Sequence, residues 1–298
     1  MPELPEAEVA ARQLRERVVG ATVQDCWVGR GDIVREGLSS LEWYRQAQIT
    51  GVERRGKSII LTFTRGEHAR FLAAELGMTG LLIFRSTPTK HPQHTHFILH
   101  LDGGAEPEIR YWNPRRFGRL SLLDQAGLDR YTARRFGYDP LTISHEEFLR
   151  LLGSTRSRLK SLLMHQQVIA GIGNIYANEI LFRAGLHPDQ AANQLRKKAI
   201  AQLYGIMGEV LREAIAMGGS SVRDYFAPDG TEGQYKRRHL VYAKTGEPCP
   251  NGCGALIRRS VGERSSFYCP TCQRGGRGGS TKSLESPLRI SVKPRLQQ

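Results

Sequence analysis

Between Ala21 and about Leu123 the chain alternates short apolar runs with glycine and polar breaks, as in Ile59-Ile60-Leu61-Thr62-Phe63, Gly80-Leu81-Leu82-Ile83-Phe84 and His96-Phe97-Ile98-Leu99-His100. Runs of that length and composition fit strands of a packed sheet. Ahead of them, Pro5 suits the first turn of a helix whose apolar face would carry Val9, Leu14 and Val18. After Asp139-Pro140 the period lengthens. Ser144 and Glu147 form a capping-box pair in front of Phe148, Leu151 and Leu152. Ile172, Ile175, Tyr176 and Ile180 then mark one helical face with Gly185 as its stop, and Leu203, Ile206, Met207, Val210, Ala214 and Met217 mark a longer one. Strands followed by helices predict an α+β fold. Beyond Gln273 the chain is rich in Gly, Ser, Arg and Lys with Glu285 alone acidic, so residues 274–298 are expected to form a flexible basic tail.

Charge narrows the partner. Forty-three Lys and Arg against 29 Asp and Glu leave +14, which favours a polyanion, nucleic acid first, over a small neutral substrate. No apolar run reaches the roughly 18 residues of a membrane span, and no apolar stretch follows a basic amino terminus. A cytoplasmic protein is expected.

Four of the five cysteines form the pattern Cys249-x3-Cys253-x15-Cys269-x2-Cys272, while Cys26 stands alone in an apolar stretch. That is not the even spread of a disulfide scaffold, and Cys26 reads as a small buried hydrophobe. Strand-like segments from Ala255 to Arg259 and Ser265 to Tyr268, around Val261-Gly262, predict a β-hairpin closed by tetrahedral zinc. Protein sulfurs would fill every position of that zinc, so its role is structural. The hairpin would present Arg258, Arg259 and Arg264 to phosphates.

The amino terminus offers different chemistry. Methionine followed by proline is a context from which the initiator is removed, leaving Pro2 as a terminal secondary amine beside Glu3 and Glu6. An α-amino group titrates near pH 8, so an appreciable fraction is neutral at pH 7. Such an amine can attack a sugar C1′ to form an iminium, which acidifies the C2′ proton and permits elimination of the 3′-phosphate. Glu3 is the natural proton donor and acceptor. Taken alone a Pro-Glu start is common and carries no chemistry. Gly171-Ile172-Gly173-Asn174 leads into a helix whose backbone N–H groups can take a phosphate, but no Gly-Lys-Ser follows to make a nucleotide P-loop.

Pro2-Glu3-Leu4-Pro5-Glu6, Leu76-Gly77-Met78-Thr79-Gly80, Asn113-Pro114-Arg115-Arg116-Phe117-Gly118, Gly171-Ile172-Gly173-Asn174-Ile175-Tyr176-Ala177 and the cysteine hairpin occur in an order that resembles the bacterial formamidopyrimidine-DNA glycosylases, over roughly residues 2 to 273. The resemblance implies an N-terminal catalytic β-sandwich with flanking helices at 2–139, a helix-two-turns-helix DNA-binding domain at 140–238 and a zinc-finger hairpin at 239–273. It implies excision of oxidised purines, chiefly 8-oxoguanine and formamidopyrimidines, followed by cutting of the abasic strand through β,δ-elimination. Pro2 would be the Schiff-base nucleophile, Glu3 the general acid and Glu6 a supporting carboxylate. Lys57 would assist β-elimination at a flanking phosphate, and Arg264 δ-elimination. Met78, Arg115 and Phe117 resemble the triad that fills the hole left by an extruded base, although by themselves Met78 and Phe117 read equally as core residues and Lys57 as a solvated lysine at a strand start. His94, Arg156, Lys160 and Asn174 would contact DNA, and Gly218 to His239 resembles the loop that closes over the lesion. The implied partner is double-stranded DNA carrying oxidised bases, bound by a monomer with one structural zinc ion and no organic cofactor. In a bacterium the protein would associate with the nucleoid.

This chain departs from the family at four places. Glu75 stands where relatives commonly carry histidine, His165 and Asn113 replace aspartates, and the first cysteine pair has one extra intervening residue. Two rivals stay open at this level: an endonuclease VIII-like enzyme for oxidised pyrimidines, against which Leu4 argues, and a non-catalytic zinc protein that binds damaged DNA.

Overall fold

The computed structural model describes residues 2–88, 92–222, 225–262 and 264–274. The expected basic tail lies outside the described residues from position 275 onward, as do Arg223 and Asp224 of the 218–239 loop.

Helix α1 (Leu4–Val18) opens the chain with Glu3 as its N-cap and Pro5 in its first turn, where a missing N–H leaves no bond unmade. The N–H of Glu3 donates to Glu6 Oε2 at 2.7 Å, which closes the turn. Ala7, Ala10, Ala11, Leu14 and Val18 face the sheet, and the three alanines allow close approach. Val9, expected on that face, packs with Leu4 against the helical core instead. At about 100° per residue, Val9 lies roughly 140° around the helix from Leu14. Helix α1 is thus apolar on two sides and belongs to both cores.

Nine strands follow the order β2-β9-β5-β4-β3-β1-β7-β8-β6. They are β1 (Thr22–Val28), β2 (Val34–Glu36), β3 (Gln48–Arg55), β4 (Ser58–Arg65), β5 (His68–Glu75), β6 (Leu81–Phe84), β7 (Thr95–Asp102), β8 (Glu108–Trp112) and β9 (Leu120–Leu123). All neighbours are antiparallel except β2 and β9. The sheet is continuous through the single pair Thr22↔Gln48, where its two halves turn their inner faces onto one core. Phe63, Leu72 and Leu120 from one half share that core with Val23, Phe97, Leu99 and Tyr111 from the other. This is the expected sandwich. Cys26 lies within it, and burial pushes its thiol up to about 12.

Helix α2 (Gln125–Arg135) covers the outer face of β5 and β9 through Leu128 and Tyr131. Its weak apolar pattern hid it from the sequence. The helical unit comprises α3 (His145–Gly153), α4 (Leu159–Met164), α5 (Asn174–Arg183) and α6 (Lys197–Ala216). Ser144 caps α3 and forms the reciprocal pair with Glu147. Gly185, at φ +67, follows Ala184, the C-cap of α5. The expected apolar faces of α5 and α6 meet in one cluster that also holds Leu4 of α1. A small hairpin, β10 (Arg258–Ser260) with β11 (Ser266–Tyr268), ends the described chain. Among the described residues no helix is long and apolar enough to cross a membrane.

Candidate active site

The amino terminus is plugged into the start of α5. Glu3 is 1% exposed, and its carboxylate accepts backbone N–H bonds from Gly173 at 2.8 Å, Ile175 at 2.9 Å and Tyr176 at 3.3 Å. The Leu4 N–H donates to the Gly171 carbonyl at 2.9 Å. A helix N-terminus offers unpaired N–H groups and positive potential, which a carboxylate satisfies. The phosphate expected on these N–H groups is therefore displaced by Glu3, a correction to the reading of the glycine-rich segment. Gly173 is needed for the fit, because a Cβ there would run into the Glu3 carboxylate and stand 2.7 Å from Lys57 Nζ.

Lys57 reaches this point from the β3–β4 turn. Burial holds its ammonium below the ordinary lysine range and the nearby Arg264 charge adds to that, while the Glu3 and Glu6 carboxylates oppose it. Residues distant in sequence therefore share one electrostatic field beside buried Pro2. Glu6 is 1% exposed and accepts from Tyr176 Oη at 2.5 Å and the Ser220 N–H at 2.7 Å. Burial, then the Glu3 charge, raise its carboxyl above the ordinary value against the pull of its hydrogen bonds.

Two loops lie together at the far ends of β5 and β8. Buried Asn113 donates to Tyr111 Oη and the Gly118 carbonyl and accepts from the Arg116 N–H and Thr79 Oγ1. The Arg115 N–H donates to Thr79 Oγ1. This clasp brings the Met78 turn against the 113–118 loop. Phe117 is 58% exposed with the Arg115 guanidinium 5.0 Å from its ring centre, so it is no core residue. His94 ends the short Pro92–His94 turn just before β7 with its ring against Trp112, and its carbonyl accepts from the Asn113 N–H.

Arg156 is exposed between α3 and α4, and Asn174 begins α5. Lys160 departs from the expected DNA contact. It is buried, and its ammonium donates to the Ser265 carbonyl at 2.6 Å and Ser266 Oγ at 3.0 Å, with the Arg264 carbonyl at 3.5 Å. Lys160 holds the hairpin turn that carries exposed Arg264 instead of facing solvent.

The four cysteine sulfurs lie within 4.8 Å of one another, with Cys249–Cys272 at 3.7 Å and Cys253–Cys269 at 3.4 Å. A tetrahedral ion with metal–sulfur bonds of about 2.3 Å spaces its sulfurs by roughly 3.8 Å. The cluster can therefore hold a metal ion.

Sequence reasoning passed over Tyr176, Ser220 and His239. Tyr176 read as an apolar-face residue, and the loop sequence gives no periodicity to single out the other two. The same loop, from Gly218 to His239, is anchored on the sheet unit: Tyr225 Oη donates to the Glu6 carbonyl at 3.0 Å, Phe84 N–H to the Pro228 carbonyl at 3.0 Å, and Gln13 to Asp229 at 2.9 Å. Tyr225 packs with Leu81, Ile83 and Trp112.

Residues 1–120 match the model of the formamidopyrimidine-DNA glycosylase N-terminal domain, and residues 136–225 that of the formamidopyrimidine-DNA glycosylase H2TH domain. The chain is 40% identical over 277 residues to the formamidopyrimidine-DNA glycosylase of Solibacter usitatus, covering 92% of this chain and all of that one. The enzyme of Thermus thermophilus is also 40% identical, over 93% of this chain and all of its own. The crystal structure of the Thermus thermophilus protein superposes with a TM-score of 0.80 at 37% identity, covering 92% of this chain and all of that one. The Lactococcus lactis protein bound to DNA containing an abasic site gives 0.80 at 31%, covering 91% and 99%. With both domain models matched and full-length relatives well above 30% identity, this chain belongs to the formamidopyrimidine-DNA glycosylase family.

Proposed function

We propose that this protein excises oxidised purines, 8-oxoguanine and formamidopyrimidines, from double-stranded DNA and then cleaves the abasic strand. The observation that carries the reading is the meeting of Glu3, Glu6 and Lys57 at the start of α5, directly beside Pro2. Once Met1 is removed, the Pro2 ring nitrogen attacks C1′ with its lone pair, the C1′–N bond to the damaged base breaks, and the base leaves with a proton. Glu3 exchanges protons with the opening sugar, its direction set by three backbone donors. The resulting iminium acidifies C2′–H. Loss of that proton expels the 3′-phosphate and a second elimination expels the 5′-phosphate. Lys57, its ammonium weakened by burial, is suited to proton exchange at the first elimination, and Arg264 to the second.

Extruding a base costs a few kcal/mol of stacking. Met78, Arg115 and Phe117, held together by the Asn113 clasp, offset that cost by filling the gap. His94, Arg156 and Asn174 supply DNA contacts, and Lys160 acts at one remove by holding the Arg264 turn. The metal is assigned as structural zinc, bound by Cys249, Cys253, Cys269 and Cys272.

The test is reductive trapping on an 8-oxoguanine duplex. Mature enzyme should give a borohydride-stable adduct mapping to Pro2, and Pro2→Gly should lose at least tenfold in excision while keeping its DNA affinity. A wild-type protein that binds the duplex without trapping overturns the catalytic reading; faster release of thymine glycol than of 8-oxoguanine transfers the protein to the pyrimidine branch.

A further inference from the structure

The Glu6 carboxyl does not end its hydrogen bonding at Tyr176. Tyr176 Oη lies 3.4 Å from Ser220 Oγ, and Ser220 Oγ lies 2.8 Å from His239 Nε2. Glu6, Tyr176, Ser220 and His239 are all at most 6% exposed and come from α1, α5, the loop after α6 and the end of the Tyr235–Arg238 turn. Ser220 is held in place by its own N–H to Glu6 and by the bridge Ser220↔Gln234. Gly219, at φ +82, makes this approach possible, since a Cβ there would press on the Glu6 carboxyl.

A hydroxyl gives one proton and accepts others, so this chain can run two ways. With Glu6 ionised, His239 Nε2–H donates to Ser220, Ser220 to Tyr176 and Tyr176 to Glu6. With Glu6 protonated, every bond reverses and His239 Nε2 accepts. The groups facing Glu6 are Glu3 beside it, Lys57 from the β3–β4 turn, and Tyr176 and Tyr225. Facing His239 are Tyr235 and Tyr242, with the Lys236 and Lys244 charges nearby.

We propose that His239 is a positioning residue for the Glu6 carboxyl: acting through Ser220 and Tyr176, it sets which protonation state of Glu6 stands beside Glu3 and Pro2. A proton passing along the chain breaks the Glu6, Tyr176 and Ser220 O–H bonds in turn and forms the Tyr176, Ser220 and His239 bonds, converting an uncharged acid–imidazole pair into carboxylate and imidazolium. Burial, reinforced by Lys244 and Lys236, drives the imidazole down to about 4, and burial raises Glu6. Both effects disfavour the carboxylate–imidazolium pair.

The role in excision rests on the function proposed above, whereas the coupling itself can be read without activity. In full-length protein with ¹⁵N-labelled histidine, Tyr176→Phe removes one oxygen from the middle of the chain and no charge. It should alter the His239 tautomer balance or move its midpoint by about half a pH unit, roughly threefold in proton affinity. Unchanged His239 spectra overturn the proposal. In His239→Phe, Ser220 can donate only toward Tyr176 and Tyr176 only toward Glu6, which favours the carboxylate. The acid limb of single-turnover 8-oxoguanine excision should therefore move to lower pH, and a profile superimposable on wild type also overturns the proposal. Failure of wild type to release any base would count against the proposed function alone, because the labelled-histidine result does not depend on it.

Discussion

Gly118 shows how much one missing carbon decides. A Cβ at Gly118 would drive into the Glu75 carbonyl and Tyr111 Oη, which are already bonded to each other at 2.6 Å. Neither can retreat without breaking that bond. Gly118→Ala should cost about 1–3 kcal/mol in thermal unfolding. It should also slow excision by displacing Arg115 and Phe117, measured by single-turnover kinetics on 8-oxoguanine duplex. His239 makes the fold sensitive to acid. Its folded pKa is depressed to about 4 against an ordinary 6.5, so the native state binds fewer protons than the unfolded chain between those values. Its contribution is complete above about pH 6.5 and is lost as acid is added, to a total of about 3 kcal/mol. His239→Phe should therefore lose less stability than wild type between pH 7 and pH 5 in denaturant titrations. The departures from the family also find their settings here: Glu75 pairs with Arg35 and Arg135, and His165 is an exposed residue ending α4.

Among the elements, the cysteine hairpin depends most on its neighbours. Its strands are three residues each, too short to persist alone, and it is held from outside at several places, among them the Phe267 N–H on Asn178 and the Gln273 amide on the Leu186 carbonyl. Lys160 binds its turn, while the buried Glu179 carboxylate of α5 accepts the N–H groups of Leu240, Val241 and Tyr242, where the chain enters the hairpin unit. Cys269→Ser, or strong chelation, should release the metal and weaken binding to every DNA sequence, followed by metal content and gel shift. Lys160→Met should act differently. Metal content and β-elimination should persist while δ-elimination product falls several-fold, because the turn carrying Arg264 loses its anchor. The hairpin was legible in the sequence because metal geometry dictates cysteine spacing. Its anchors were not: Lys160 read as a DNA contact, since a basic residue in a basic protein gives no sign of which way it points.

At the scale of the whole molecule, α1 joins the two larger units, and Arg54 secures the joint. The Arg54 side chain is 7% exposed and donates to Glu8 of α1 at 2.9 Å and Asp139, at the entry to the helical unit, at 2.6 Å. Burial opposes ionisation of Glu8, but the hydrogen bonds from Arg12 and Arg54 outweigh it and hold its carboxyl below 4.5. The tie is therefore intact above the unfolded carboxyl value and is lost as pH falls through the lower folded one. Glu8→Gln should flatten that acid limb of the stability curve. The net charge of +14 acts on DNA over the whole surface. Affinity for undamaged duplex should fall log-linearly with salt, with a slope of about −0.9 per phosphate contacted, and Arg156→Ala should reduce the slope by roughly one.

Most element types, though not α2, together with the cysteine quartet and the motifs that identify the family, were readable along the chain, because periodicity, caps and ligand spacing are local and survive in one dimension. Only the folded chain shows that Glu3, and not a phosphate, occupies the start of α5, that Phe117 faces solvent while Lys160 does not, and that Ser220 and His239 stand behind Glu6. Each of those outcomes depends on which groups from distant segments compete for the same donor or the same buried space, and that competition begins only when the chain has closed.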